Sequence, residues 1–291
     1  MNNPCLKMAV YQGAGTPGDV TANLEQMTAA IRQAARQDVQ LIVFPELFLC
    51  GYNLGAEVLQ RAQPARGPAA EHLARVARES GTSVLYGYAE LETGAEGQTI
   101  IYNSAQWISA ATEPWVNYRK AHLYGPEEKR WFQPGNELRV VDLHGVRMGV
   151  LICYDVEFPE AVRALAMAGA HLIAVPTALM HSYAFVPNTL VPTRAWENQV
   201  FVAYANHCGV ERGLGYAGRS CIMAPDGTEL ARADGAPTLL VAEIRPADYQ
   251  RSRQENPYLS ERRPQLYTQV SQRSAGPERS PTPEQGTLHE R

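Results

Sequence analysis

Residues 149–160 read Gly149-Val150-Leu151-Ile152-Cys153-Tyr154-Asp155-Val156-Glu157-Phe158-Pro159-Glu160, and this stretch decides the fold. An apolar run leads into one cysteine, two acids follow, and Pro159 is placed to open a helix. The pattern predicts a buried strand that ends at Cys153 and passes into a helix. Proteins of the α/β class place their chemistry at such strand ends. A lone cysteine there is usually only a small buried hydrophobe, so its role depends on which residues reach it.

The rest of the chain alternates between strand-like and helix-like segments. Leu6–Tyr11 and Val39–Phe44 are apolar runs of strand length, and Asn23–Arg36 between them has the spacing of an amphipathic helix. The composition does not change before about Ile244, which favours one α/β domain over residues 1–250.

The remaining predicted strands are Ser83–Leu91, Ile100–Ile108, Glu113–Arg119, Leu138–Leu143, Val146–Cys153, Ala170–Val175, Val200–Asn206, Tyr216–Ala224, Glu229–Arg232 and Leu239–Ile244. The remaining predicted helices are Gly67–Arg78, Pro159–Ala168 and one within Pro187–Gln199. Residues 118–135 are polar and aromatic without clear periodicity, and we expect a long loop of the kind that often carries function.

The composition excludes several classes of protein. The chain has 291 residues and a net charge of -4, without the clustered basic residues of a nucleic-acid-binding protein. It has no apolar run long enough to span a membrane and no basic-then-apolar start typical of a signal peptide. The five cysteines form no C-x-x-C pair, which indicates a reducing, cytoplasmic location. The seven histidines lack metal-ligand spacing, so we expect no metal site.

The C-terminal residues differ from the rest. Residues 251–267 are polar and rich in arginine, and Ser, Pro, Gly, Glu and Arg dominate from Ser271 onward. We expect residues 251–270 to form an extension at an oligomer interface and residues 271–291 to form a disordered tail.

A glycine-rich stretch near the N-terminus offers an alternative function. Gly13-Ala14-Gly15-Thr16-Pro17-Gly18 matches the dinucleotide-binding pattern G-x-G-x-x-G and follows a strand. In such a site, backbone amides at a helix N-terminus face the pyrophosphate. Pro17 lacks an amide hydrogen, and the helical pattern begins only after Thr21. The stretch is therefore a weak indication of a dinucleotide-binding protein.

Glu46, Lys120 and Cys153 form a more specific combination, because each lies where a predicted strand ends. Each has an ordinary interpretation when taken singly, such as a capping glutamate or a solvated lysine. Together they can perform one reaction. A glutamate among apolar residues can remove the thiol proton, and a fixed ammonium can stabilise the oxyanion that forms when a thiolate attacks a carbonyl.

The chain resembles the nitrilase superfamily, the carbon-nitrogen hydrolases, over about residues 6–245. Three motifs in the family's order carry the resemblance: Phe44-Pro45-Glu46 with Gly51-Tyr52, Tyr118-Arg119-Lys120 with His122-Leu123, and Cys153-Tyr154-Asp155 with Phe158-Pro159-Glu160. Three spaced motifs are far more specific than any one of them.

The resemblance implies a four-layer α-β-β-α sandwich and a role for each motif residue. Glu46 would be the general base, Lys120 the oxyanion stabiliser and Cys153 the nucleophile. Glu128 best matches the family's second glutamate, and the backbone amide of Tyr154 would complete the oxyanion site. The reaction would form a thioester and release ammonia. No metal or organic cofactor is implied, and a homodimer or larger homo-oligomer is expected.

The residues after the cysteine favour an amidase that hydrolyses a small carboxamide. Family members that act on nitriles typically have Trp-Glu there, whereas this chain has Tyr154-Asp155. Enzymes for acidic amides and carbamoyl compounds often carry arginine near the position of Glu157. A glutamate in the pocket would disfavour a substrate carboxylate. A nitrilase, an N-carbamoyl hydrolase and, outside the enzymes, a non-catalytic binding protein remain alternatives.

Loop residues after the predicted strands are candidates for the substrate pocket. They are Tyr52, Glu157, Thr177, Met180 and His181.

Overall fold

The computed structural model describes residues 3–111 and 115–269. Within these ranges the strands are β1 (Leu6–Gln12), β2 (Leu41–Val43), β3 (Ser83–Thr93), β4 (Thr99–Ile108), β5 (Val116–Arg119), β6 (Arg139–Leu143), β7 (Val146–Val150), β8 (Leu172–Thr177), β9 (Phe201–Asn206), β10 (Val210–Glu211), β11 (Leu214–Gly215), β12 (Cys221–Met223), β13 (Glu229–Arg232) and β14 (Thr238–Ile244). The α-helices are α1 (Val20–Ala35), α2 (Val58–Arg61), α3 (Pro68–Ser80), α4 (Gly125–Trp131), α5 (Pro159–Met167), α6 (Val191–Asn198) and α7 (Gln250–Glu255).

Two six-stranded sheets form the centre of the molecule. Their strand orders are β14-β1-β2-β3-β4-β5 and β13-β12-β9-β8-β7-β6. Strands β1, β2 and β3 are parallel in the first sheet, and β7, β8 and β9 are parallel in the second. The backbone amide of Glu46, just after β2, donates to the Thr177 carbonyl at the end of β8 at 3.4 Å. The carboxyl ends of parallel strands from both sheets therefore meet at one edge of the sandwich.

Strand β2 illustrates why the molecule has four layers. Successive side chains of a strand point to opposite faces. Leu41 and Val43 pack in the core between the sheets, whereas Ile42 packs with Met27 of α1 and Leu73 of α3. On the far side of the second sheet, α5 lies directly on β7, since a Cβ on Gly149 would be 2.9 Å from Leu165 Cδ1. The predicted α-β-β-α sandwich is confirmed.

Three predicted elements differ from the structure. The strand predicted to reach Cys153 ends at Val150, and a 3₁₀ turn runs from Cys153 to Glu157. The strand predicted over Tyr216–Ala224 is only Cys221–Met223. The loop predicted over residues 118–135 contains α4, whose buried residue is the charged Glu128. A helix that turns a charged residue inward has no apolar periodicity, so the pattern could not indicate it.

Some predictions fall on parts of the chain that the structure does not describe. Glu113, the predicted start of β5, lies outside the described residues, as does the tail over 271–291. Part of the predicted extension is helical, since α7 covers Gln250–Glu255. Among the described residues, no helix is both long and apolar enough to cross a membrane.

Candidate active site

Glu46, Lys120 and Glu128 meet in a buried cluster of charges. The ammonium of Lys120 donates to Glu46 Oε1 and to Glu128 Oε1, each at 2.7 Å. The side chains of Glu46 and Lys120 are fully buried, and that of Glu128 is 4% exposed. Glu46 follows β2, Lys120 directly follows β5, and Glu128 lies on α4. The structure therefore joins two residues predicted from strand ends with one from a helix.

The backbone around Glu46 is held by close contacts to neighbouring strands. A Cβ on Gly87 in β3 would lie 2.4 Å from Leu47 N and 2.6 Å from Glu46 Cα, so only glycine fits. The carbonyl of Glu46 accepts a 2.6 Å hydrogen bond from Nε2 of the buried His207. These contacts fix the backbone from which the Glu46 side chain extends.

Charge and burial act in opposite directions within the cluster. Burial raises the pKa of Glu46, and the ammonium of Lys120 and a hydrogen bond from Asn103 partly oppose that rise. Burial opposes the charge on Lys120, but the carboxylates of Glu46 and Glu128 outweigh it and raise the Lys120 pKa. Lys120 is thus a fixed cation. The second carboxylate oxygen of Glu46, Oε2, is buried and has no hydrogen-bond partner within the described part of the chain.

Cys153 begins the 3₁₀ turn with an unusual backbone conformation. Its φ is +46°, in the left-handed region that non-glycine residues rarely occupy. Such strain costs about 1–3 kcal/mol, and it persists where the surrounding structure enforces it, often at functional sites. Burial and the nearby Glu46 carboxylate raise the pKa of the Cys153 thiol, while Lys120 and the Ala178 backbone amide lower it. The net effect favours a neutral thiol whose pKa depends on the charges of both Glu46 and Lys120.

Burial alone does not distinguish Cys153 from the other buried cysteines. Burial raises the pKa of both Cys50 and Cys221 to about 12. Neither has a positive φ, and neither lies beside the Glu46 and Lys120 pair. The conformation and the charged neighbours make Cys153 the candidate nucleophile.

Asp155 joins the segment of Cys153 to the segment of Lys120. Its Oδ2 accepts hydrogen bonds from Tyr118 Oη at 2.7 Å and from the Ile152 amide at 3.0 Å. Its Oδ1 accepts from the backbone amide of His122 and lies equally close to the His122 ring Nδ1, both at 2.8 Å. Tyr118 and His122 lie two residues before and after Lys120. Asp155 therefore sets the position of the ammonium relative to the thiol.

Cys153 opens into a small cavity of about 50 Å³. Its lining residues are Tyr52, Tyr124, Cys153, Tyr154, Glu157, Ala178, Leu179, Met180 and Tyr183. A cavity needs about 10–15 Å³ to hold one water molecule, so this one has room for a few waters or a short carboxamide.

The structure brings some of the predicted substrate residues to this cavity and not others. Tyr52, Glu157 and Met180 line it, and Tyr52 Oη also donates to Glu128 Oε1 at 2.7 Å. Thr177 is not in the lining, because its buried hydroxyl donates to the Val175 carbonyl at 3.1 Å. His181 is exposed and packs near Gly215 instead.

Several residues of the site were not singled out from the sequence. Tyr124 and Tyr183 line the cavity and are joined by a 2.8 Å hydrogen bond. Asn103 donates to Glu46 Oε1 at 2.7 Å. Arg194, on α6, donates to the Val156 and Glu157 carbonyls at 3.0 and 2.8 Å and thereby holds the cysteine turn. Their contacts join distant parts of the chain, which no local pattern reveals.

A larger cavity, of about 430 Å³, lies elsewhere and includes Glu90, Tyr102 and Arg119 in its lining. It shares no lining residue with the cavity at Cys153 among the described residues. Its Arg119 is already paired with Glu90 at 2.7 Å and with Glu92 at 3.0 Å. Size alone does not indicate the reactive site, because this cavity contains no nucleophile beside a base.

Known proteins match this arrangement over nearly the whole chain. The family model described as carbon-nitrogen hydrolase matches residues 7–254. The chain belongs to this family of enzymes. Among the related proteins, the family member "Hydrolase in pqqF 5'region" of Pseudomonas protegens is 43% identical over 92% of this chain and 93% of its own length. An "(R)-stereoselective amidase" of a Pseudomonas species is 36% identical over 89% of this chain and 92% of its own length.

Solved structures of carbon-nitrogen hydrolases also resemble this chain. The amidase of Nesterenkonia sp. AN1, from the nitrilase superfamily, aligns with a TM-score of 0.80 and 35% identity, covering 93% of this chain and 98% of that chain. Other structures of that amidase hold acrylamide as a complex, or the acetamide moiety of fluoroacetamide covalently added at the active site cysteine. This chain is therefore a carbon-nitrogen hydrolase of the nitrilase superfamily with amidases among its relatives.

Proposed function

We propose that the protein is an amidase that hydrolyses a small carboxamide to the carboxylic acid and ammonia through a thioester on Cys153. The observation that carries the proposal is the buried Oε2 of Glu46, which has no hydrogen-bond partner among residues 3–111 and 115–269. The charge of this carboxylate acts on the Cys153 thiol. A buried acceptor without a hydrogen-bond partner is costly. In the proposed reaction, Glu46 Oε2 gains a partner when it takes the proton of the Cys153 thiol. The amidases among the relatives support the same substrate class.

In the first half of the reaction, the sulfur of Cys153 bonds to the amide carbon while Glu46 takes the thiol proton. The carbonyl oxygen becomes an oxyanion, which Lys120 and the Tyr154 backbone amide stabilise. The proton then passes from Glu46 to the amide nitrogen. The carbon–nitrogen bond breaks, ammonia leaves, and the acyl group remains as a thioester.

In the second half, water attacks the thioester carbon and Glu46 takes a proton from that water. A second oxyanion forms and collapses, the carbon–sulfur bond breaks, and the thiolate recovers the proton from Glu46. The products are the carboxylic acid and the free thiol. Glu128 keeps Lys120 in place throughout, because it accepts hydrogen bonds from both Lys120 and Tyr52.

The protonation states support a general base rather than a preformed thiolate. Glu46, Glu128 and Lys120 together carry one net negative charge when ionised, so a thiolate beside them would add a second charge in a buried site. The raised pKa of Cys153 agrees with a neutral resting thiol. Glu46 must therefore remove the proton as the carbon–sulfur bond forms.

Ammonia release from matched carboxamides, nitriles and N-carbamoyl compounds tests the proposal. We expect short carboxamides to be the best substrates and Cys153→Ala to abolish the release. The matched control is Cys221→Ala, which removes a fully buried thiol in β12 and should keep the activity. Faster turnover of nitriles or carbamoyl compounds would refute the amidase proposal, and full activity of Cys153→Ala would refute the nucleophile.

A further inference from the structure

The cavity at Cys153 is walled largely by tyrosine rings. Tyr52, Tyr124, Tyr154 and Tyr183 all line it. The ring of Tyr124 meets those of Tyr154 and Tyr183 edge to face, with centroids 5.3 and 6.1 Å apart and planes at 71° and 78°. Rings set nearly at right angles form the corner of a box. The negative faces of such rings attract ammonium groups, and cages of aromatic rings bind quaternary ammonium ligands in this way.

Glu157 adds a carboxylate to the same cavity. It is half-buried, and it forms no side-chain hydrogen bond or ion pair with any residue in 3–111 or 115–269. Burial raises its pKa, while the charges of Lys120 and Arg194 lower it. Both cations are already engaged: Lys120 by Glu46 and Glu128, and Arg194 by Glu197 at 2.8 Å. Glu157 is thus left without a counter-ion in the described structure.

We propose that Glu157 and the tyrosine rings bind a positively charged group, so that the enzyme acts on carboxamides that carry an ammonium group. The inference rests on the proposed amidase function for the reaction, but the cation site itself does not require turnover. A bound ammonium would provide the charge-assisted hydrogen bond that the Glu157 carboxylate lacks. A substrate carboxylate in the cavity would face Glu157 and be repelled.

Three amides with the same two-carbon spacer distinguish a positive, a neutral and a negative substituent. β-Alaninamide carries an ammonium, butanamide a methyl group and succinamate a carboxylate at the same distance from the amide. Glycinamide with propanamide, and 4-aminobutanamide with pentanamide, vary that distance. Calorimetric titration into Cys153→Ala measures the affinity for the intact amides. At the best chain length we expect the ammonium amide to bind at least about tenfold more tightly than its neutral isostere, and succinamate to bind most weakly.

Further substitutions in the Cys153→Ala variant test which residues cause the preference for the ammonium amide. Glu157→Gln should bring the affinity ratio of ammonium to neutral amide close to one. The matched control is Glu160→Gln, an exposed glutamate three residues away that does not line the cavity, and it should keep the ratio. Tyr183→Phe preserves the ring face and should keep most of the preference, whereas Tyr183→Leu should reduce it.

Two binding results would overturn the inference. One is neutral or acidic amides binding as tightly as the ammonium amide at every chain length. The other is Glu157→Gln leaving the ratio unchanged. Ammonia release by the wild-type enzyme distinguishes the two proposals. Selective binding without any ammonia release refutes the amidase function alone, whereas hydrolysis of the neutral amide at least as fast as of its ammonium counterpart at every chain length refutes the cation preference alone.

Discussion

Replacing Asp155 with asparagine should destabilise the fold and reduce activity together. The carboxylate has donors at both oxygens: Tyr118 Oη and the Ile152 amide at Oδ2, and the His122 amide and ring at Oδ1. Asparagine has the same size but only one oxygen. Whichever way the amide turns, its NH₂ group faces a backbone N–H donor in the buried site.

The expected loss follows from these contacts. A hydrogen bond to a charged group contributes about 1.5–3 kcal/mol, and a buried donor left without an acceptor costs about 1–3 kcal/mol. In Asp155→Asn, at least one backbone N–H is left without an acceptor, and the remaining hydrogen bonds are made to a neutral group. The free energy of unfolding should therefore fall by about 3–5 kcal/mol. Because Asp155 positions Lys120 relative to Cys153, kcat should also fall by at least about tenfold, since small displacements of catalytic groups are costly.

Urea unfolding followed by circular dichroism measures the first effect, and ammonia release measures the second. The matched control is Asp142→Asn. Asp142 is exposed and accepts one 3.0 Å bond from the Gly145 amide, so this change should cost less than about 1 kcal/mol. The reasoning would be refuted if Asp155→Asn unfolded within about 0.5 kcal/mol of the wild type and kept most of its activity.

Two further predictions concern Glu46. Asn103 donates to Glu46 Oε1 and lowers the pKa of that carboxyl, so Asn103→Leu should raise the pKa further. The base must be ionised to accept a proton, so the acidic limb of the kcat/KM profile should move to higher pH, and an unmoved or lower limb would argue against Glu46 as the base. Gly87→Ala would place a Cβ 2.4 Å from Leu47 N and should reduce kcat by at least about tenfold through displacement of Glu46. Gly235→Ala, at an exposed glycine that has open space around the Cβ position and no positive φ, should leave kcat intact, and equal rates for the two variants would contradict this account.

The catalytic candidates could be predicted from the sequence where a reactive residue lies at the end of a recognisable strand. Glu46, Lys120 and Cys153 could be singled out because each is a reactive residue just after an apolar or strand-like run, and the parallel strands β2 and β7 end at one edge of the sandwich. The four layers were expected only from the resemblance to the nitrilase superfamily, and the burial of β2 on both faces agrees with that expectation.

Other features depended on contacts that local patterns do not encode. The inward face of α4 carries Glu128, so its helix shows no apolar stripe. Tyr124 and Tyr183 are 59 residues apart and meet only in the folded chain. Thr177 was predicted as a pocket residue in the loop after a strand, but it is the last residue of β8. Its hydroxyl donates to the Val175 carbonyl, and the next three residues line the cavity instead. The positive φ of Cys153 also has no signature in the sequence, because it is imposed by the surrounding packing.

The covalent intermediate tests the central claim most directly. The wild-type protein is mixed with a carboxamide that it hydrolyses, and the reaction is quenched in acid during turnover. The protein is then digested, and its peptides are mapped by mass spectrometry. Five free cysteines compete for the acyl group: Cys5, Cys50, Cys153, Cys208 and Cys221. We expect the acyl mass on the peptide that contains Cys153, and its absence from a Cys153→Ala sample. Turnover without any acylated Cys153, or an acyl group on another cysteine that persists in Cys153→Ala, would contradict this account.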